Sequence, residues 1–289
     1  MRGVAELAGK GLHTGVRSTL RLRPAPEGIG LAFVRDDLGV AIPASIDNVR
    51  SIDHATVLGH GPAQIRTVEH VLAALTAYGI SNAFVSVDGP EVPIFDGSAA
   101  PFVDLIAGAG ILEQAAEQPC LEVTGTIRVA DADGWVELRP CSSLLVDCTI
   151  SFAEKAIGRQ RHVYHADPAA FKTAIAPART FGFLRERVEL RGHGLAIGAS
   201  LDNCIVVDGS RVLSGALRFA DEFARHKILD LLGDLALLGL PIRAEVVTVR
   251  AGHALRLQAL RELLARPDCH VVRTGEPASA PVRKFALAG

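Results

Sequence analysis

Three polar residues stand four apart in an otherwise apolar stretch: His226, Asp230 and Asp234. On a helix each four-residue step turns the side chain by about 40°, so the three share one narrow stripe. His226 and Asp230 then suit two positions of a tetrahedral zinc, which accepts imidazole nitrogen and carboxylate oxygen and requires a third protein ligand from elsewhere. The competing reading is a solvated helix face with i,i+4 pairing, and on the stripe alone the two stand level. The flanking residues, among them Ile228, Leu229, Leu231, Leu232, Leu235 and Leu238, leave almost no other polar face, and charges on an apolar helix need partners. A metal is one such partner.

The third ligand is best sought in Thr67-Val68-Glu69-His70. An acid beside a histidine lets the histidine bind metal while the acid takes a proton from the metal's water. The pair is weak by itself, because Glu69 equally suits the positive end of a helix dipole, with His70 merely structural. His253 follows Gly252 where a strand turns into a helix, a common place for a catalytic group and for a simple cap. The turn Gly9-Lys10-Gly11-Leu12-His13-Thr14-Gly15 lacks the G-x-x-x-x-G-K-[ST] spacing, which disfavours nucleotide hydrolysis, though His13 remains a candidate for lining a site. His162 and His165 have no carboxylate near in a matching frame and read as surface residues.

These groups need elements to hold them. Residues 16 to about 66 alternate short apolar runs, such as Ser18–Leu22 and Ile29–Val34, with Pro, Gly and Asp clusters, as antiparallel strands do. Thr67 is the expected N-cap of a helix over 68–77 that Gly79 stops; Ala83–Val87 reads as a strand and Pro101–Ala109 as a second helix. A polar boundary at Glu113–Gln118 precedes strand-like runs at Leu121–Val129, Trp135–Leu138 and Leu144–Ile150. Helix Asp221–Leu238, strand Ala244–Val249 and helix Ala254–Arg266 then repeat the order of the first half. The expectation is an α+β protein of two similar two-layer domains, 1–117 and 118–289, related by internal duplication. A tail from Thr274, rich in prolines, is expected to be poorly ordered.

A chain of 289 residues with 49% hydrophobic and 21% charged residues can bury a sizeable core, and its length favours two domains. The 30 Lys and Arg against 32 Asp and Glu leave a net charge of −2, no field to gather nucleic acid or an anionic membrane. Five cysteines without a C-x-x-C pair argue against a disulfide framework and a thiolate zinc knuckle, and point to a reducing compartment. The first residues carry charge where a signal peptide needs an apolar stretch, and the most apolar run, Ile228 to Ile242, is broken by Asp230 and Asp234. The expectation is a cytoplasmic chain with no nucleic-acid partner and no integral membrane segment.

Six motifs in order resemble the UDP-3-O-acyl-N-acetylglucosamine deacetylases over nearly the whole length. They are Gly11-Leu12-His13-Thr14-Gly15, Thr67-Val68-Glu69-His70, Pro93-Ile94-Phe95-Asp96-Gly97-Ser98-Ala99, Ala178-Arg179-Thr180-Phe181-Gly182-Phe183, His226-Lys227 with Asp230 and Asp234, and Ala251-Gly252-His253. The resemblance implies zinc (Zn2+) on His70, His226 and Asp230, hydrolysis of the acetamide of a UDP-linked acylated glucosamine, and the committed step of lipid A biosynthesis. It implies Glu69 as general base, His253 as electrostatic stabiliser or general acid with Asp234 orienting it, and Thr180 on the oxyanion. Lys227 is implied near the substrate, toward its phosphates. Arg250 stands where a lysine near the diphosphate is usual, Phe152 is a candidate for stacking on uracil, and Phe181 and His13 are further candidates for substrate contact. The helices of the two halves would pack between two sheets with the site between them. An insert around 190–207, with Leu195–Val207 in place, would form an apolar passage for the acyl chain. Ala55 and Arg256 depart from the common cysteine and asparagine, and neither change removes a ligand or proton carrier. Other readings are a zinc amidase or esterase on another acylated sugar and a non-catalytic metal-binding homologue, against which Glu69 and His253 speak, since structural zinc needs no base and prefers four protein ligands.

Overall fold

The computed structural model describes residues 1–274, so the tail expected from Thr274 lies, past that residue, outside the described residues. In the first half, β1 (Ala5–Lys10), β2 (Arg17–Pro24), β3 (Leu31–Arg35) and β4 (Val40–Pro43) are followed by the short strands β5 (Val49–Ser51), β6 (Val57–His60) and β7 (Ala63–Arg66). Then come α1 (Glu69–Ala77), β8 (Ala83–Val87) and α2 (Ala100–Ala109). The main sheet has the order β1-β2-β8-β3-β4, with β8 antiparallel to β2 and parallel to β3. Strand β2 shows why these segments pair: Leu20 and Leu22 are fully buried and alternate with half-exposed polar residues, the two-residue period of a sheet with one face on the core.

The second half contains β9 (Cys120–Val123), β10 (Ile127–Ala130), β11 (Trp135–Arg139), β12 (Leu145–Ser151), β13 (Arg159–His165), the short α3 (Pro168–Ala170), β14 (Phe181–Phe183), α4 (Arg187–Gly192), β15 (Ile205–Asp208) and β16 (Arg211–Val212). It continues with α5 (Glu222–Leu235), β17 (Ile242–Arg243), β18 (Glu245–Val249), α6 (His253–Ala265) and β19 (His270–Arg273). Its main sheet runs β10-β11-β18-β12-β13, with β18 antiparallel to β11 and parallel to β12. Strand for strand this is the order of the first sheet, the mark of a duplicated two-layer unit. Each half also holds a three-stranded sheet between its fourth main strand and its next long helix: β5-β6-β7 in one, β14-β15-β16 in the other.

The helices fill the space between the main sheets. α2 packs on β1 and β2, α5 on β12 and β13, α6 on β10 and β11, and α1 lies along α5. Gly233 permits that last contact, because a Cβ there would fall 2.2 Å from the main-chain oxygen of Glu69. Val71, Leu72 and Leu75 of α1 and Ile228, Leu229 and Leu232 of α5 are buried in one continuous core. Each such side chain contributes about 1.5–3 kcal/mol when removed from water. Past α5 the chain tightens through Ala236–Leu238 and ends on left-handed Gly239.

Two local expectations are corrected. Thr67 does not cap α1: Val68 is the cap residue, without a side-chain bond, and Thr67 has a left-handed φ of 61° with its hydroxyl donated to Glu91 at 2.8 Å. The run Leu121–Val129 is two strands, β9 and β10, in different sheets, broken at Thr124-Gly125 where the main chain bonds to Cys269. All five cysteines are free. Among the described residues, no helix is long and apolar enough to cross a membrane.

Candidate active site

The α5 stripe meets the start of α1 where the two helices cross. The donor atoms of His70, His226 and Asp230 lie within 4.8 Å of one another, and all three residues are buried. His226 Nε2 is 3.3 Å and His70 Nε2 3.8 Å from Asp230 Oδ1, with the two rings edge to face. His226 Nδ1 lies 3.1 Å from the carbonyl oxygen of Ala178; donation there places the proton on Nδ1 and leaves Nε2 bare toward the other two groups. Burial, reinforced by neighbouring His226, pushes the His70 imidazole down to about 3, so it stands neutral with a lone pair to offer. Two imidazoles and a carboxylate form a donor set that fits a divalent metal and leaves a fourth position open. Asp230 is buried, but Lys227 and His226 hold its carboxyl well below the usual range. Lys227 Nζ lies 2.8 Å from Asp230 Oδ2.

Two proton-handling groups flank this trio. Glu69 opens α1, its Oε2 accepts the Thr56 main-chain N–H at 3.1 Å, and burial raises its carboxyl to about 7. His253 opens α6, with Nε2 4.0 Å from Asp230 Oδ2 and Nδ1 2.9 Å from both oxygens of Asp234. Burial disfavours its charged form, yet Asp234 outweighs that cost and raises its basicity. Asp234 is fully buried and takes a further bond from the Thr56 hydroxyl at 3.1 Å and a longer one from Arg256 at 3.4 Å. The arrangement therefore sets a carboxyl that can accept a proton and an imidazole that can deliver one beside the same trio.

The remaining candidates stand around this centre. Thr180 is fixed by its N–H to the Gly97 carbonyl at 2.7 Å, and glycine is required at 97 because its φ is 87° and a Cβ there would sit 2.4 Å from Asn203 O. Phe181 faces the His226 ring at 6.2 Å and lies under Lys227 Nζ at 5.5 Å. Phe152 packs on Phe181 and Phe183 at 5.7 and 5.6 Å. Arg250 has a left-handed φ of 51° and directs its guanidinium to Asp133 at 3.1 Å. His13 is buried on the first-half loop: its N–H binds Glu91 at 2.9 Å, and its Nδ1 accepts the Ala196 N–H at 3.4 Å. His162, read as lacking a carboxylate, has one: Asp221 at 2.9 Å, brought from 59 residues away by the packing of α5 on β13.

The family model described as UDP-3-O-acyl N-acetylglycosamine deacetylase matches residues 1–265. The chain belongs to this family. It is 46% identical over 283 residues to the UDP-3-O-acyl-N-acetylglucosamine deacetylase of Anaeromyxobacter sp. (strain Fw109-5), covering 97% of this chain and 93% of the relative. The enzyme of the same name from Myxococcus xanthus (strain DK1622) is 44% identical over 99% of this chain and 90% of its own. That of Shewanella sediminis (strain HAW-EB3) is 43% identical over 98% and 94%.

In this deacetylase-family chain two participants escaped the sequence reading. Thr56 ties Glu69 to Asp234 across the two halves, yet nothing in its spacing distinguishes it from any turn threonine. Glu222 lies one turn before His226 and so extends the four-residue stripe to 222, 226, 230 and 234, a spacing that could have revealed it.

Proposed function

We propose that this chain hydrolyses the acetamide of UDP-3-O-acyl-N-acetylglucosamine, releasing acetate, the committed step of lipid A biosynthesis, and that it does so with zinc held by His70, His226 and Asp230. Zinc there would act as a Lewis acid toward the acetamide carbonyl and lower the pKa of a neighbouring water. Glu69 takes the proton of the attacking water as the new C–O bond forms. The Thr180 hydroxyl donates to the oxyanion that develops on the carbonyl oxygen. His253, held by Asp234, gives its proton to the glucosamine nitrogen as the C–N bond breaks, so that the amine leaves neutral with acetic acid, which loses its remaining proton to become acetate. Lys227, Arg250, Phe152, Phe181 and His13 contact the nucleotide-sugar, and the segment around 190–207 receives the acyl chain. The observation that carries this reading is that Glu69, next to His70 in the chain, and His253, 4.0 Å from Asp230, both border one buried His-His-Asp trio.

We further propose that the chain divides into domains near 117/118, works as a cytoplasmic monomer and has no nucleic-acid partner. The division is supported by strand pairing, which among the described residues stays within the segment before that point or within the one after it.

The test is acetate release from the UDP-linked substrate, before and after chelation, with Glu69→Ala alongside. Turnover that chelation stops and zinc restores, and that Glu69→Ala reduces by about 10²–10⁴-fold, is the expected result. Stoichiometric zinc without acetate release would overturn the reading, and full turnover by Glu69→Ala would remove the base assignment alone.

A further inference from the structure

We infer that Glu222 is a positioning residue for the metal ligand His226, acting through the peptide bond between Ala178 and Arg179. This rests on the metal reading above and deepens it. Glu222 is fully buried at the first turn of α5, four residues before His226. Its Oε1 accepts the Arg179 main-chain N–H at 3.1 Å. The carbonyl on the other side of that same peptide plane, Ala178 O, faces His226 Nδ1 at 3.1 Å. In a trans peptide the N–H and C=O point in opposite directions, so one rigid plane stands between the carboxylate and the imidazole.

The consequence is electronic as well as steric. A carboxylate on the N–H polarises the amide, increases the negative charge on its oxygen and strengthens its hold on the Nδ1 proton. That hold fixes the tautomer with Nε2 bare and makes Nε2 a better donor, as a carboxylate does when it binds a metal-ligating histidine directly. Here the peptide is interposed.

The remaining lone pairs of Glu222 are used to keep the plane in place. Arg179 Nε and Nη2 donate to it at 2.8 and 3.1 Å, and the Arg218 N–H at 2.6 Å. Arg218 also reaches across to Asp96 of the first half at 2.8 Å. The next residue along the chain is Thr180, so the same clamp sets the segment that carries the proposed oxyanion donor. A structural ion pair would require only the Glu222 and Arg179 side chains; the relay requires the main-chain bond.

The experiment is zinc affinity by chelator competition on the full chain, with Glu222→Gln and Arg179→Gln compared with the parent and thermal unfolding recorded for each. The relay predicts a 10–100-fold loss for Glu222→Gln, which removes the charge from the peptide. It predicts a loss well below that range for Arg179→Gln, which keeps the main-chain N–H. Equal losses in the two variants, or unchanged affinity in a folded Glu222→Gln, would overturn it. A parent chain that binds no zinc defeats the metal reading, and the relay with it. Should Glu222→Gln not fold, nitrogen NMR of the His226 ring in the zinc-loaded parent decides: a proton on Nδ1 with metal on Nε2 is expected, and ligation through Nδ1 contradicts the relay.

Discussion

The two halves share one strand order, but they load their helices differently. α1 places its chemistry in a single turn, Glu69 and His70 side by side, immediately after the left-handed Thr67 that Glu91 holds. α5 spreads its groups over its length, from Glu222 through His226 and Asp230 to Asp234. The small sheets differ as well. The turn before β6 supplies Thr56 to the acid-base pair, whereas the segment containing β14 to β16 carries Phe181 beside His226 and exposes Leu184, Val188 and Leu201. A duplicated frame has thus been divided: the first half contributes the proposed proton acceptor and one proposed ligand, the second two proposed ligands and the whole His253–Asp234 pair.

That division can be broken experimentally. The largest effect should separate proton transfer from metal binding. Glu69→Gln should lower kcat by about 10²–10⁴-fold while zinc content stays at one, whereas Asp230→Asn should lose zinc and turnover together; zinc lost equally from both would merge the two roles. Next is the seam between the helices. Gly233→Ala puts a Cβ 2.2 Å from Glu69 O and should cost about 1–3 kcal/mol, read as a lower urea midpoint, with kcat reduced because α1 must shift. An unchanged midpoint would mean that the helices do not meet there. Thr56→Val keeps the N–H on Glu69 but removes the hydroxyl from Asp234, and a drop of about tenfold in kcat with KM unchanged is expected. The smallest effect is a pH dependence. Burial alone would raise the carboxyl of Glu222, but Arg179 and the Arg218 N–H hold it below its ordinary value. A depressed folded pKa stabilises the protein above the unfolded pKa, and that contribution disappears as pH falls through the folded one. The urea midpoints of the parent and Glu222→Gln should therefore differ at neutral pH and converge in acid.

Much of the site was legible because its residues violate their surroundings. His226, Asp230 and Asp234 stood out as a polar stripe in a largely apolar helix, and the strand-helix order suggested a duplication that the matching order of the two sheets then displayed. What escaped depends on contacts distant in sequence. Thr56 acts on Asp234, 178 residues on, and no local pattern encodes that meeting. Thr67 looked like a helix cap because its hydroxyl partner, Glu91, comes from the loop after β8. His162 read as isolated for the same reason, its Asp221 lying on another element. Glu222 was hidden differently: an acid in a first helical turn has an ordinary explanation in the helix dipole, which masked its place in the stripe.

Anomalous diffraction at the zinc edge, on crystals of the full chain grown with zinc, addresses the central claim most directly. The account predicts one strong peak at about 2.0–2.2 Å from Nε2 of His70, Nε2 of His226 and a carboxylate oxygen of Asp230. No peak among these three residues, or a peak held by a different set, would contradict it.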